Sequence, residues 1–225
     1  AYQAGAMLNL DDITHIERVR EALGGKFPKK ICFRYNPGPL RTGNAIIGEP
    51  AEAKYGLTTK QIPEAYRRAK ALGAESFGLH TMVVSNTLEE EALIENGQMV
   101  FELGAKLSQE LGISFDFFNL GGGVGTPYKP EQIPVNLRIV SAGIQTAYEQ
   151  AGFGVGRKHS PRVVMECGRA ITGPHGFLAT DVVHVTEKYK KFIGVDATMA
   201  NLMRPGMYGA YHHITVLGKE NAPQT

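Results

Sequence analysis

Short apolar runs alternating with longer amphipathic stretches constrain this chain more than any other feature of it. The spacing predicts a strand over Lys30-Ile31-Cys32-Phe33-Arg34-Tyr35, stopped by Asn36-Pro37-Gly38-Pro39. It then predicts helix 61–72, strand 75–81, helix 88–111, strand 114–119, helix 131–150 and strand 162–166. Upstream, Asp11 or Asp12 can cap a helix whose apolar positions Ile13, Ile16, Val19 and Leu23 recur at helical spacing, and Ala6 to Leu10 is a candidate fifth strand. Strands separated by amphipathic helices imply right-handed βαβ units and a buried parallel sheet. Two α/β architectures satisfy this: part of a (β/α)8 (TIM) barrel, which complete takes about 250 residues and would leave about three βα units to be supplied, or a whole five-stranded open sheet. Periodicity alone does not separate them.

From about residue 176 the pattern changes. Phe177 to Val185, Lys191 to Val195 and His212 to Leu217 read as strands with no long helix between them. The expectation is therefore a partial barrel over residues 1–170, followed over 171–225 by the start of a mainly β second domain. Lysine plus arginine number 24 against 22 aspartate plus glutamate, with no basic run, so neither nucleic acid nor an anionic membrane is an expected partner. The two cysteines, Cys32 and Cys167, sit in apolar strand-like runs outside any CxxC pattern, so no disulfide framework or zinc site is expected. No apolar stretch reaches the roughly 18 residues of a membrane span, and Ala1 to Asp12 lacks a signal peptide's regions. A cytoplasmic protein is expected.

Four segments carry chemistry. Gly121, Gly122 and Gly123 follow an apolar strand, where backbone N–H groups can approach an anion; a tight turn is the alternative. The dinucleotide fingerprint fails, because Thr126 stands at its third glycine position. Glu166 emerges at the end of Val163-Val164-Met165, with Gly168 and Arg169 behind it; a carboxylate there can hold a heterocyclic nitrogen protonated, or simply pair with Arg169. His80 ends the strand Phe77-Gly78-Leu79-His80, and Ser85 lies just beyond, within reach of a phosphate oxygen. Arg204, fixed before Pro205 and followed four residues on by Tyr208, suits a planar anion such as a carboxylate. His212 and His213 invite a metal reading, but neighbours on a strand point to opposite faces, so no metal site is expected.

In this order the segments resemble the fold-type III pyridoxal-phosphate (PLP) decarboxylases, and among them the diaminopimelate decarboxylases. Arg34-Tyr35-Asn36-Pro37-Gly38 and Lys54-Tyr55-Gly56 are similar to that family's Arg-x-Asn-Pro-Gly strand end and Lys-Phe-Gly loop. The glycine triplet resembles its phosphate loop, Glu166 to Arg169 its Glu-Pro-Gly-Arg, and Arg204-Pro205-x-x-Tyr208 its Arg-Pro-x-x-Tyr. The resemblance implies that Glu166 pairs with the pyridine nitrogen, with His80 as a second catalytic-site residue. It implies that Ser85, Gly121, Gly122, Gly123 and Gly168 hold the phosphate, and that Arg169, Arg204 and Tyr208 take a distal substrate carboxylate. It further implies PLP as cofactor, an amino-acid substrate, a homodimer, and decarboxylation of meso-2,6-diaminopimelate to L-lysine. Three departures qualify this. Met82 stands where the family has a ring-stacking histidine, and Cys167 replaces the proline of Glu-Pro-Gly-Arg. The Tyr-x-x-Lys-Ala-Asn segment bearing the lysine that bonds the cofactor covalently is absent, as is the Cys-Glu-Ser segment, so the chain reads as a fragment inactive alone. A related decarboxylase for another amino acid or carboxyamine, or a non-catalytic PLP- or phosphate-binding module, are the competing expectations.

Overall fold

The computed structural model describes residues 2–40, 49–157 and 160–222. Strands β1 (Leu8–Leu10), β2 (Lys30–Tyr35), β3 (Ser76–Thr81), β4 (Phe115–Asn119) and β5 (Arg162–Val164) form one parallel sheet in chain order. Helices α1 (His15–Ala22), α2 (Gln61–Ala71), α3 (Glu90–Leu111) and α4 (Leu137–Gln150) connect them, and α5 (Gly168–Thr172) follows β5. An antiparallel hairpin of β6 (Val182–Glu187) and β7 (Lys191–Val195) comes next, then α6 (Arg204–Tyr208).

Strand order decides between the two architectures. A doubly wound open sheet reverses direction at a switch point and carries helices on both faces. Here the order never reverses, so right-handed crossovers put every connecting helix on the same side. Consecutive helices accordingly touch, α1 with α2, α2 with α3 and α3 with α4. That is the winding of a (β/α)8 barrel, present here as five strands.

The helix side of the sheet is the core. Ile31, Phe33 and Tyr35 of β2 and Phe77 and Leu79 of β3 are buried there. Tyr66 of α2 donates its hydroxyl to the Gly78 carbonyl at 2.6 Å and meets Phe33, Phe77 and Phe115 edge-on at 5.0, 5.8 and 5.3 Å. Each such pair contributes about 0.5–1.5 kcal/mol beyond area burial. The opposite face carries Asn9, Cys32, Arg34, Gly78, His80, Phe117 and Asn119, and it is the polar one. Gly78 is needed on it because the Phe117 ring lies across the position: a Cβ there would stand 2.2 Å from Phe117 Cζ.

A bulge sets the faces of β4. Phe77 pairs with Phe115 but Gly78 pairs with Phe117, leaving Asp116 as the extra residue. Strict alternation would put Phe115, Phe117 and Asn119 on one face. The bulge instead turns Phe115 and Phe118 to the helices, where Phe118 meets Phe101 at 5.5 Å, and sends Phe117 and Asn119 to the other side.

Several boundaries differ from the sequence pattern. Helix α1 begins at His15; Asp12 shapes the turn before it by accepting from the Thr14 amide at 2.8 Å. The helix expected from 131 begins at Leu137, since Asn136 is its cap, accepting from the Arg138 amide at 3.1 Å, and Pro134 keeps the preceding stretch extended. Of Phe177–Val185 only the end from Val182 is strand, and His212–Leu217 forms none. Cys167 is not in a strand but caps α5.

Candidate active site

The carboxyl ends of β1 to β5 converge on Glu166. Backbone bonds place it: the Leu120 amide donates to the Val164 carbonyl at 2.9 Å and the Glu166 amide to the Gly121 carbonyl at 2.8 Å, so the segment after β5 continues beside the glycine loop. The Glu166 side chain is 53% exposed, and its Oε1 accepts from Asn119 Nδ2 at 2.8 Å. His80 Nε2 lies 3.7 Å from the same oxygen, too far for a hydrogen bond, and is buried with no other partner. The other ring nitrogen, Nδ1, is 2.7 Å from Asn9 Nδ2. Burial holds the His80 pKa below its ordinary value, against the pull of the Glu166 carboxylate and with the help of Arg34. The imidazole is therefore neutral at physiological pH.

The glycine loop is wedged between β3 and the segment after β5. A Cβ on Gly121 (φ 71°) would stand 2.4 Å from the Thr81 carbonyl oxygen, one on Gly122 2.8 Å from that of Glu166, and one on Gly123 2.8 Å from that of Val84. The turn is thus tight, and it lies beside Glu166. The Gly121 amide donates to Asn119 Oδ1 at 2.9 Å and the Gly122 amide to the Met82 sulfur at 3.2 Å. Sulfur is a weak acceptor, so an anionic oxygen replaces it at little cost. Gly168, at the start of α5, donates its amide to the Glu166 carbonyl at 2.8 Å. Ser85 is half-buried in the loop after β3, next to Val84, whose carbonyl abuts Gly123.

The charges of Arg169 and Arg204 both act on His212. Arg169, on α5, has its Nη1 buried with no partner among the described residues, while its carbonyl accepts from Thr126 Oγ1 at 3.3 Å. Arg204 donates through Nη1 to Tyr128 Oη at 2.9 Å, stacks over that ring at 5.2 Å, and lies 3.4 Å from His212 Nε2. Desolvation first, then the positive charges of Arg204 and Arg169, lowers the His212 pKa. A neutral His212 adds no positive charge beside Arg204. Tyr208, 43% exposed at the end of α6, makes no hydrogen bond to either arginine among the described residues. Sequence reasoning grouped Tyr208 with the arginines, weighed His212 only as a metal ligand, and missed Tyr128, whose contact with Arg204 runs through the fold with no local signal. It also missed Asn9 and the role of Asn119. His212 and His213 diverge, the latter to Tyr211 at 3.0 Å, and no cluster of three metal-ligating side chains occurs among the described residues.

The family of the pyridoxal-dependent decarboxylases, through its pyridoxal-binding domain, matches residues 1–173. The chain belongs to that family. Protein TabA of Pseudomonas amygdali pv. tabaci is 35% identical over 224 residues, 100% of this chain and 51% of that protein. The diaminopimelate decarboxylase of Methanothermobacter thermautotrophicus is 33% identical over 220 residues, 96% of this chain and 50% of that one. Among solved structures, diaminopimelate decarboxylase from Helicobacter pylori complexed with L-lysine superposes with a TM-score of 0.75 at 29% identity, covering 94% of this chain and 52% of that one. The enzyme from M. jannaschii in co-complex with L-lysine gives a TM-score of 0.78 at 28% identity, covering 92% and 48%. The chain thus spans about half the length of the relatives it matches.

The cofactor of this pyridoxal-dependent decarboxylase domain is PLP, and the residues present fit it. A carboxylate stands where strand ends converge, a loop with no room for side chains flanks it, and His80 Nε2 and Arg169 Nη1 are buried with no hydrogen-bond partner among the described residues. None of β1 to β5 carries a lysine at its carboxyl end. No helix among the described residues is long and apolar enough to cross a membrane.

His80 also makes a stability prediction. Its folded-state pKa lies below the ordinary 6.5, so above that pH both folded and unfolded chains hold the ring neutral and it contributes nothing to pH dependence. Below it the unfolded chain takes up a proton that the folded site resists, and stability falls. Urea unfolding at about pH 7.5 and about pH 5 should show a smaller loss for His80→Gln than for the unsubstituted protein. Equal losses would refute a buried, neutral His80.

Proposed function

We propose that the protein containing this chain decarboxylates meso-2,6-diaminopimelate to L-lysine, with residues 1–170 supplying most of the cofactor site and residues 171–225 opening a second domain. The observation that carries this reading is Glu166 standing beside the glycine loop, with Arg169, three residues on, holding a buried Nη1 that has no partner among the described residues. Bound PLP supplies an electron sink for the pair left on the α-carbon as CO2 departs. Glu166 keeps the pyridine nitrogen protonated, which makes that sink effective. Gly121, Gly122, Gly123, Gly168 and Ser85 hold the phosphate, the first two through amides released from Asn119 Oδ1 and the Met82 sulfur respectively. Arg169 and Arg204, the latter steadied by Tyr128, bind the distal carboxylate, with Tyr208 closing over it. Charge-assisted hydrogen bonds of about 1.5–3 kcal/mol each make the arginines a discriminator against diamino monocarboxylates.

The lysine that bonds the cofactor comes, in this reading, from outside these residues, and the protein works as a cytoplasmic homodimer. A second reading, a decarboxylase for another amino acid, is favoured by Met82 at the ring-stacking position. One substrate panel on the full-length protein decides: CO2 release from diaminopimelate, lysine, ornithine and other amino acids. Diaminopimelate should be preferred at least about 100-fold, and Arg204→Met should remove most of that margin. Preference for another substrate would overturn the first reading in favour of the second.

A further inference from the structure

Asn9 belongs to none of the motifs that mark this site, yet its side chain reaches across β2 to the one buried histidine on the polar face. It stands on β1 in register with Cys32, which in turn pairs with Gly78, so only small side chains lie along the row between β1 and β3 at that level. Asn9 Nδ2 is 2.7 Å from His80 Nδ1. A neutral imidazole has one donor and one acceptor nitrogen, and an amide nitrogen only donates. Nδ1 therefore accepts, and the proton sits on Nε2. The opposite amide orientation would put a proton on Nδ1 and aim the Nε2 lone pair at the Glu166 carboxylate, acceptor against acceptor. Electrostatics select the first arrangement.

We propose that Asn9 and His80 are positioning residues for Glu166: Asn9 fixes the His80 proton on Nε2, and that N–H, together with Asn119 Nδ2, holds Glu166 Oε1 so that Oε2 faces the ring nitrogen of the cofactor. This rests on the assignment of Glu166 as the ring-nitrogen partner. Three distances carry it: 2.7 Å from Asn9 to Nδ1, 3.7 Å from Nε2 to Oε1, and 2.8 Å from Asn119 to the same oxygen. Nε2 is buried with no partner, a desolvated donor that gains a charge-assisted hydrogen bond if the carboxylate closes by about 1 Å. Glu166, being half-exposed, has the freedom to make that movement when its second oxygen engages the cofactor. An ordinary core histidine would have both nitrogens satisfied within the fold.

The test is the tautomer. In the full-length protein labelled with 15N at histidine, long-range 1H–15N correlations report which ring nitrogen of His80 carries the proton, with and without added PLP. We expect Nε2–H without cofactor, and a downfield shift of that proton on cofactor addition as the bond to Glu166 shortens. Asn9→Asp, which sets a carboxylate at Nδ1 opposite that of Glu166 at Nε2, should draw a second proton onto the ring, read as two protonated nitrogens in the same correlations, and by offsetting the Glu166 charge lower kcat about tenfold with KM within about twofold. An Nδ1–H tautomer in the unsubstituted protein, or an Nε2–H resonance that PLP leaves unmoved, would overturn the proposal. These signals need no substrate, so they stand or fall separately from the substrate panel, and they remain readable if the Asn9 variant fails to fold.

Discussion

Glu166→Gln in the full-length protein should lower kcat for decarboxylation by about 10- to 150-fold. A hydrogen bond to a charged group contributes about 1.5–3 kcal/mol, and each 1.36 kcal/mol is a factor of ten in rate. The amide can still accept from Asn119, so the fold around the strand ends has no reason to change. It cannot take the pyridinium proton's positive charge as partner, and the electron sink weakens. Steady-state kinetics on the preferred substrate, with PLP occupancy measured on the same sample, check this; full activity at full occupancy would remove Glu166 from its assigned role.

The second large effect is on stability. Gly121→Ala should cost about 2–4 kcal/mol by urea unfolding, whereas Gly152→Ala should cost about 1 kcal/mol. Both glycines have left-handed backbones, φ 71° and 89°. Around Gly152 a Cβ meets nothing within 4 Å, so only the conformational cost applies. At Gly121 the same carbon would stand 2.4 Å from the Thr81 carbonyl oxygen, an atom of the neighbouring strand end that cannot turn aside as a side chain would. A cost at Gly121 no greater than at Gly152 would mean that the loop yields easily, and the close packing of the site with it.

Much of this was legible in the sequence, and the physical reason is periodicity. Strand β2 was read to the residue because six apolar-rich positions end abruptly at Asn36-Pro37. Helix α3 was nearly so, since Leu93, Val100, Phe101 and Leu107 keep one buried stripe through its length. Glu166, His80 and the glycines stood out because they terminate apolar runs. Asn9 did not, because a strand of three residues is too short to show alternation. Nor did Tyr128, whose partner Arg204 is 76 positions away and leaves no trace in local sequence. The choice between barrel and open sheet was hidden for another reason: both use the same βαβ unit, and only the strand order, which is a tertiary property, tells them apart.

The extra residue in β4 bears on how this protein should be compared with its relatives. Which of Phe117, Phe118 and Asn119 looks toward Glu166 depends on Asp116 being out of register, and not on the identity of those three residues. Were Asp116 to enter the register, Phe118 would take the place opposite His80 and face the carboxylate while Asn119 turned to the helix side, with every letter unchanged. A relative of equal length whose strand pairs without the bulge could match each of these positions in an alignment and still lack the amide that holds Glu166, whereas one a residue shorter would keep it. Strand register at this point is thus a determinant of chemistry in its own right, invisible to percentages of identity.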